Sequence, residues 1–161
     1  MIVIPICGEG RRFSDVGYKL PKFRLPVGGK IVLDYVINSF PSDADILIVV
    51  NNKESADYLN NRYNNDRFEI QFLSQKTKGQ AHTVELCLRD QKADQPLTIF
   101  NCDTAFITQI KTEMLNATGC YIDVTQEEGD HWSFVEVDEK GDATRVEEKV
   151  RISENTSTGL Y

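Results

Sequence analysis

A continuous β-branched run, Ile2–Ile6, breaks directly into glycines at Gly8 and Gly10. A run without polar alternation marks a strand buried in the middle of a sheet. The next segments supply what such a sheet needs. Ile31–Phe40 has apolar residues at 32, 33, 36, 37 and 40, which is helical spacing. Asp45–Val50 reads as a second buried strand, Glu54–Tyr63 as a helix, and Phe68–Leu73 as an alternating strand. Gln80–Leu88 reads as a helix that starts just past Gly79, and Leu97–Asn101 as a strand running into Cys102-Asp103. The pairs Asn51-Asn52, Asn60-Asn61 and Asn64-Asn65 read as punctuation around the second helix. This alternation predicts an α/β domain with a mainly parallel sheet and right-handed crossovers.

The character changes after about residue 118. Cys120–Thr125, Ser133–Val137, Thr144–Glu148 and Thr158–Tyr161 read as strands, with a hairpin turn at Asp138–Gly141. The expectation is one domain over residues 1–161, its α/β half followed by an antiparallel half. No segment approaches the roughly 18 apolar residues of a membrane span. The apolar start has no basic stretch before it, so it does not read as a secretory signal. Cytoplasmic placement is therefore expected. Cys7, Cys87, Cys102 and Cys120 then read as free thiols; none stands in a CxxC pair, which argues against zinc.

Charge narrows the ligand class. The chain carries 18 Lys+Arg against 25 Asp+Glu, a net −7, and so lacks the basic footprint of a nucleic-acid binder. Between Gly8 and Lys30, however, six bases stand against two acids, so that segment is +4 and the remainder −11. A cation cluster on an acidic protein suits a small polyanion. Two phosphate motifs fail here. A dinucleotide fingerprint needs a glycine where Phe13 stands, and a Walker loop needs Ser or Thr where Ile31 stands and glycine where Arg24 stands. What remains is a glycine loop after the first strand, with Arg12 two residues past Gly10 and Lys22 ten beyond that. Such glycines let backbone N–H groups approach phosphate oxygens, Arg offers a planar fork, and Lys a mobile charge. A flexible turn bearing solvated cations has the same residues.

Gly8-x-Gly10-x-Arg12-Phe13, then Pro21-Lys22, then Leu25-Pro-Val-Gly-Gly-Lys30, resembles the N-terminal signature of the sugar-nucleotide nucleotidyltransferases, the nucleoside-diphosphate-sugar pyrophosphorylases. Later blocks resemble that family in the same order: Gln75 with Gly79-Gln80-Ala81, Asn101-Cys102-Asp103, Glu147-Glu148-Lys149, Ser153-x-Asn155 and Gly159-x-Tyr161. Arg11 departs from the family's usual Ser or Thr, and Val150 from its usual proline. The family continues past Gly-x-Tyr with a second metal-binding aspartate, so the resemblance implies a chain lacking its C-terminal portion. It further implies a three-layer α/β/α sandwich with a mixed, centrally parallel sheet, the glycosyltransferase-A-like nucleotidyltransferase fold.

The activity implied is Mg²⁺-dependent transfer from an NTP to a sugar 1-phosphate, giving NDP-sugar and pyrophosphate for polysaccharide biosynthesis. By resemblance Gly8 and Gly10 cradle the triphosphate and Arg12 holds the β and γ phosphates. Lys22 neutralises charge near the α-phosphate, and Gln75, Gly79 and Gln80 read the base. Asp103 binds Mg²⁺, while Glu148, Lys149 and Asn155 meet the sugar phosphate. A non-sugar phosphorylated acceptor, or a non-catalytic nucleotide-binding or regulatory domain, stays open as an alternative.

Overall fold

The structure, a computed structural model, describes residues 1–8, 10–89, 95–116 and 118–161, and leaves the side chains of Arg11 and Arg12 undescribed. The described chain forms two compact units, Met1–Thr118 and Gly119–Tyr161.

The first unit is built on strands β1 (Ile2–Ile6), β4 (Ile46–Val50), β5 (Phe68–Phe72) and β6 (Thr98–Ile99). They form a parallel sheet in the order β5-β4-β1-β6. Between β1 and β4 lie the short helix α1 (Arg11–Ser14), a 3₁₀ turn (Lys22–Arg24), the hairpin strands β2 (Pro26–Val27) and β3 (Lys30–Ile31), and helix α2 (Val32–Asn38). Helices α3 (Lys53–Arg62) and α4 (Gln80–Leu88) lead into β5 and β6, and α5 (Thr112–Leu115) follows. The hairpin has Gly28 at φ +53° and Gly29 at φ +85°, the doubly positive turn that matches strand twist and that other residues resist.

Residue period and burial together fix the layers. All of β4 is buried, so both faces of the sheet are covered. Val3, Leu47 and Val49 pack with Val84 and Cys87 of α4. Ile2, Ile4, Ile46, Ile48 and Val50 alternate onto the opposite face. Crossovers from β1 to β4 and from β4 to β5 run one way along the sheet, while the crossover to β6 runs back. Right-handed connections therefore put α2 and α3 on one face and α4 on the other. Their buried Leu33, Val36, Ile37 and Leu59 cover that first face. The result is an α/β/α arrangement around a parallel sheet.

The backbone groups of β1 alternate between its two neighbours. Ile2 donates to the Asp45 carbonyl at 3.0 Å, so even residues address β4. Met1 and Val3 accept from Thr98 and Phe100, so odd residues address β6. Pro5, which has no N–H, is tolerated in this central strand because it faces the β6 side beyond the last paired residue, Val3.

The second unit is an antiparallel sheet of β7 (Val124–Gln126), β8 (Ser133–Val137), β9 (Ala143–Glu148) and β10 (Asn155–Ser157), in the order β7-β10-β8-β9. The antiparallel strands thus form a sheet of their own. The Asp138–Gly141 turn is present: Asp138 Oδ1 accepts from Lys140 and Asp142, each at 2.9 Å.

Three strand expectations are corrected. The last strand is Asn155–Ser157, not Thr158–Tyr161. Thr156 is buried opposite Phe134, and the regular register ends after Ser157: Gly159 stands at φ +88°, although Asp123 still accepts from the Thr158 N–H and donates to the Leu160 carbonyl. The strand expected at Cys120–Thr125 begins only at Val124, where pairing with Ser157 starts. That expected at Leu97–Asn101 shrinks to Thr98–Ile99, plus one further rung from Phe100 to the Val3 carbonyl.

Candidate active site

β1 and β6 are neighbours, and the crossover direction reverses between them. Loops leaving the two strands therefore part at the carboxyl end of the sheet and open a crevice, the usual ligand position in open α/β folds. The crevice has a volume of about 1080 Å³. Gly8 and Gly10 reach it from the end of β1, and Asp103 from beyond β6. Lys22, Gln75, Gly79 and Gln80 line it as well. Seven candidates spread from residue 8 to residue 103 thus come together. The Arg12 side chain lies outside the described residues. Glu148, Lys149 and Asn155 belong to the second unit.

Lys22 opens the 3₁₀ turn, which is pinned by the buried ring of Phe23. Its Nζ stands 5.6 Å from the centre of the Phe13 ring and is ion-paired with Asp103 Oδ2. The two side chains are 25% and 32% exposed. A pair this wet is worth about 0–1 kcal/mol, so a ligand bringing stronger charge can separate it.

The 74–83 segment is tied down from both ends. Gly79 caps α4 at φ 156°, ψ −175°, a region that essentially only glycine enters. A Cβ there would meet nothing within 4 Å, so the backbone conformation, not crowding, requires glycine. The Thr83 hydroxyl lies 3.0 Å from the Gly79 carbonyl and 2.9 Å from Thr77 Oγ1. His82 Nδ1 accepts the Lys78 N–H at 3.0 Å and so serves the same turn. Gln80 Nε2 donates to Asn101 Oδ1 at 3.0 Å, joining the start of α4 to the chain just past β6.

Cys7 and Cys102 also line the crevice. Burial raises both thiols above the ordinary cysteine range; a hydrogen bond with Thr83 partly opposes this at Cys7, and the Lys22 charge does so at Cys102. Both are neutral at neutral pH and are poor nucleophiles. Among the described residues lining the crevice there is no histidine. Among the described residues the walls thus offer cations, amides, hydroxyls and one carboxylate, suited to holding a polyanion and neutralising charge. Among the described residues no group of three or more His, Cys, Asp and Glu is placed to cage a metal. A lone hard-oxygen carboxylate does fit Mg²⁺, which commonly takes one or two carboxylates and completes its shell with phosphate oxygens and water.

Several lining residues escaped the sequence reading. Lys76 and Lys78 add charge to the walls, beside Lys19 of the expected cation cluster; the lysines flanking Gln75 and Gly79 were a visible signal. Asn51 and Asn52 line the crevice too. Asn52 is the helix punctuation expected, its Oδ1 accepting the Ser55 N–H at 2.9 Å. Asn51 differs from it: its amide reaches across to the first strand's loop and donates to the Cys7 carbonyl.

In the second unit, Ser133 donates to Glu148, and Glu148 Oε1 pairs with Lys149 Nζ at 3.1 Å. Lys149 has φ +59°, uncommon outside glycine, and its N–H reaches the Trp132 carbonyl at 2.8 Å. Asn155 opens β10, its N–H on Ser153 Oγ at 3.1 Å.

Comparison with known proteins bears on this arrangement. The chain matches the MobA-like NTP transferase domain family over residues 2–138. No match was found among curated proteins. Among solved structures it resembles a nucleoside-diphosphate-sugar pyrophosphorylase from Vibrio cholerae RC9, with 34% identity and a TM-score of 0.82, over 100% of this chain and 72% of that one. A Bacillus anthracis protein described as a glucose-1-phosphate thymidylyltransferase shares 19% identity, with a TM-score of 0.80 over 99% of this chain and 69% of that one. The inositol-1-phosphate CTP transferase of T. maritima shares 14%, with a TM-score of 0.76 over 99% and 68%. The last two show the fold alone. The family match covers most of the chain, including every strand of the parallel sheet and every loop that shapes the crevice: this protein belongs to the MobA-like NTP transferase family and is a nucleotidyltransferase.

Proposed function

We propose that the chain transfers a nucleotidyl group from an NTP to a sugar 1-phosphate in a Mg²⁺-dependent reaction. One observation carries this reading. The glycine loop, Lys22 and Asp103 converge on one crevice whose described walls hold no histidine and no ionised thiol. The acceptor supplies its own nucleophile, because a phosphate monoester has a second pKa near ~6 and is largely dianionic at pH 7. Its oxygen attacks the α-phosphorus. The bond from that phosphorus to the bridging oxygen breaks, and pyrophosphate leaves with the electron pair. Such chemistry needs positioning and charge neutralisation rather than a general base.

In this reading the Gly8–Gly10 loop cradles the triphosphate, and Arg12 grips the β and γ phosphates. Lys22 leaves Asp103 for the charge around the α-phosphate. Asp103 would hold Mg²⁺, whose charge helps neutralise the phosphates. Gln75, Gly79 and Gln80 read the base, and Glu148, Lys149 and Asn155 meet the acceptor. The chain acts as one transferase domain in the cytoplasm, and its product serves polysaccharide synthesis. No described helix is long and apolar enough to cross a membrane. The test is a thermal-shift screen of the four NTPs with Mg²⁺, followed by a pyrophosphate-release assay across sugar 1-phosphates and non-sugar phosphates. Stabilisation by an NTP and release only with a sugar 1-phosphate are expected. Release with non-sugar phosphates alone would overturn the acceptor assignment; stabilisation without release would favour a binding domain.

A further inference from the structure

We propose that Asn51 is a positioning residue: its side-chain amide turns the Cys7–Gly8 peptide so that the Gly8 N–H points into the crevice, at the phosphate chain. This rests on the reading of the Gly8–Gly10 loop as a phosphate site.

In β1, even residues address β4 and odd residues address β6. A straight continuation would aim the Cys7 carbonyl at β6 and the Gly8 N–H at β4. The structure departs from this at the Cys7 carbonyl. The Cys7 carbonyl accepts from Asn51 Nδ2 at 3.1 Å, and Asn51 comes directly after β4. Carbonyl and N–H of one trans peptide point in opposite directions. With its carbonyl held on the β4 side, the Cys7–Gly8 peptide presents the Gly8 N–H toward β6, the side from which Asp103 enters the crevice.

The side chain does this because the backbone no longer runs alongside. The paired register of β1 and β4 ends at Ile6 and Val50. Asn52 already belongs to the cap of α3. Asn51 thus adds a side-chain rung one step past the ladder. The Cys7 thiol lies 3.7 Å from the Val49 carbonyl, so Cys7 is held to β4 twice. An N–H set toward a phosphate oxygen before the ligand arrives makes a charge-assisted bond without reorganisation.

The test uses the whole chain and inorganic tripolyphosphate, which has no base to read. Asn51→Ala removes the donor; Asn51→Asp keeps the shape and turns an oxygen to the carbonyl. Calorimetry should show both variants binding tripolyphosphate about five- to tenfold more weakly, the effect of one misdirected hydrogen bond. In wild type, tripolyphosphate should shift the Gly8 amide resonance. In the variants that shift should shrink while β4 amides keep their positions, which a merely structural role would not produce. Binding within twofold of wild type in either variant overturns the proposal, as does a Gly8 amide in the wild type that ignores bound tripolyphosphate. That last measurement stands even where neither variant folds. Arg12→Ala separates the two readings. If it weakens tripolyphosphate and the Asn51 variants do not, only the Asn51 role fails; if it has no effect, the phosphate loop itself fails.

Discussion

Replacing Asp103 with asparagine keeps the side-chain shape and removes its charge. The fold should hardly notice. The Lys22 pair that is lost is partly exposed and worth about 0–1 kcal/mol. At roughly 2–4 °C per kcal/mol for a domain of this size, Tm should fall by no more than about 4 °C. Ligand binding should respond far more. Unit charges about 4 Å apart at an effective dielectric near 20 interact by about 4 kcal/mol, and a divalent cation doubles that. Exchanging the Lys22 ammonium for Mg²⁺ on Asp103 therefore favours the metal by about 4 kcal/mol before it sheds water. If a third of this survives dehydration, Mg²⁺ strengthens triphosphate binding about tenfold. Calorimetry with and without Mg²⁺ should show that enhancement in wild type and less than about twofold in Asp103→Asn. An undiminished enhancement in the variant would refute the assignment of Asp103 to the metal.

Lys22→Ala should lower kcat by about 100-fold or more, the scale of losing one group aimed at transition-state charge, while KM for the NTP changes only a few-fold; steady-state kinetics showing a pure KM rise would contradict the role. Gly79→Ala forces a side chain into a glycine-only conformation and should cost about 1–3 kcal/mol in urea unfolding, so an unchanged midpoint would deny the strain. Burial alone would raise the Asp34 carboxyl, but hydrogen bonds from Arg62, Tyr63 and the Ile31 N–H together hold it below its ordinary value. Its contribution is therefore complete above the unfolded carboxyl value of about 3.9 and is lost as pH falls through the lower folded one. Urea midpoints between pH 6 and 2 should fall more steeply in wild type than in Asp34→Asn, and parallel curves would argue against the low carboxyl.

Much of the first unit was legible because its signals are local. The spacing of apolar residues marks α2, and Gly79 marks the start of α4, since a backbone that only glycine adopts ends a loop visibly in sequence. The β-branched run Ile2–Ile6 states its own burial. The Gly28-Gly29 hairpin carried an equally local signal, two glycines between β-prone residues, yet it lay inside a motif read for chemistry. The Gly8–Gly10 loop, Lys22 and Asp103 could be picked out singly by residue type and by their place beside buried runs.

Their meeting could not. Lys22 and Asp103 are 81 residues apart in sequence, and they come together only because β6 adds beside β1 rather than beside β5. That choice depends on which faces of the finished sheet need covering and on the handedness of the crossovers, neither of which any short segment encodes. Pairing also decided where the last strand lies: Asn155–Ser157 takes its place between β7 and β8, while the more apolar-looking end of the chain, though Leu160 is buried, does not extend that register. Asn51 shows the limit most clearly. Beside Asn52 it reads as helix punctuation, and it becomes a hold on the glycine loop only once β4 lies alongside β1 and brings its amide to the Cys7 carbonyl. Local propensity determined the pieces; long-range pairing and burial determined which side chains face one another across the crevice.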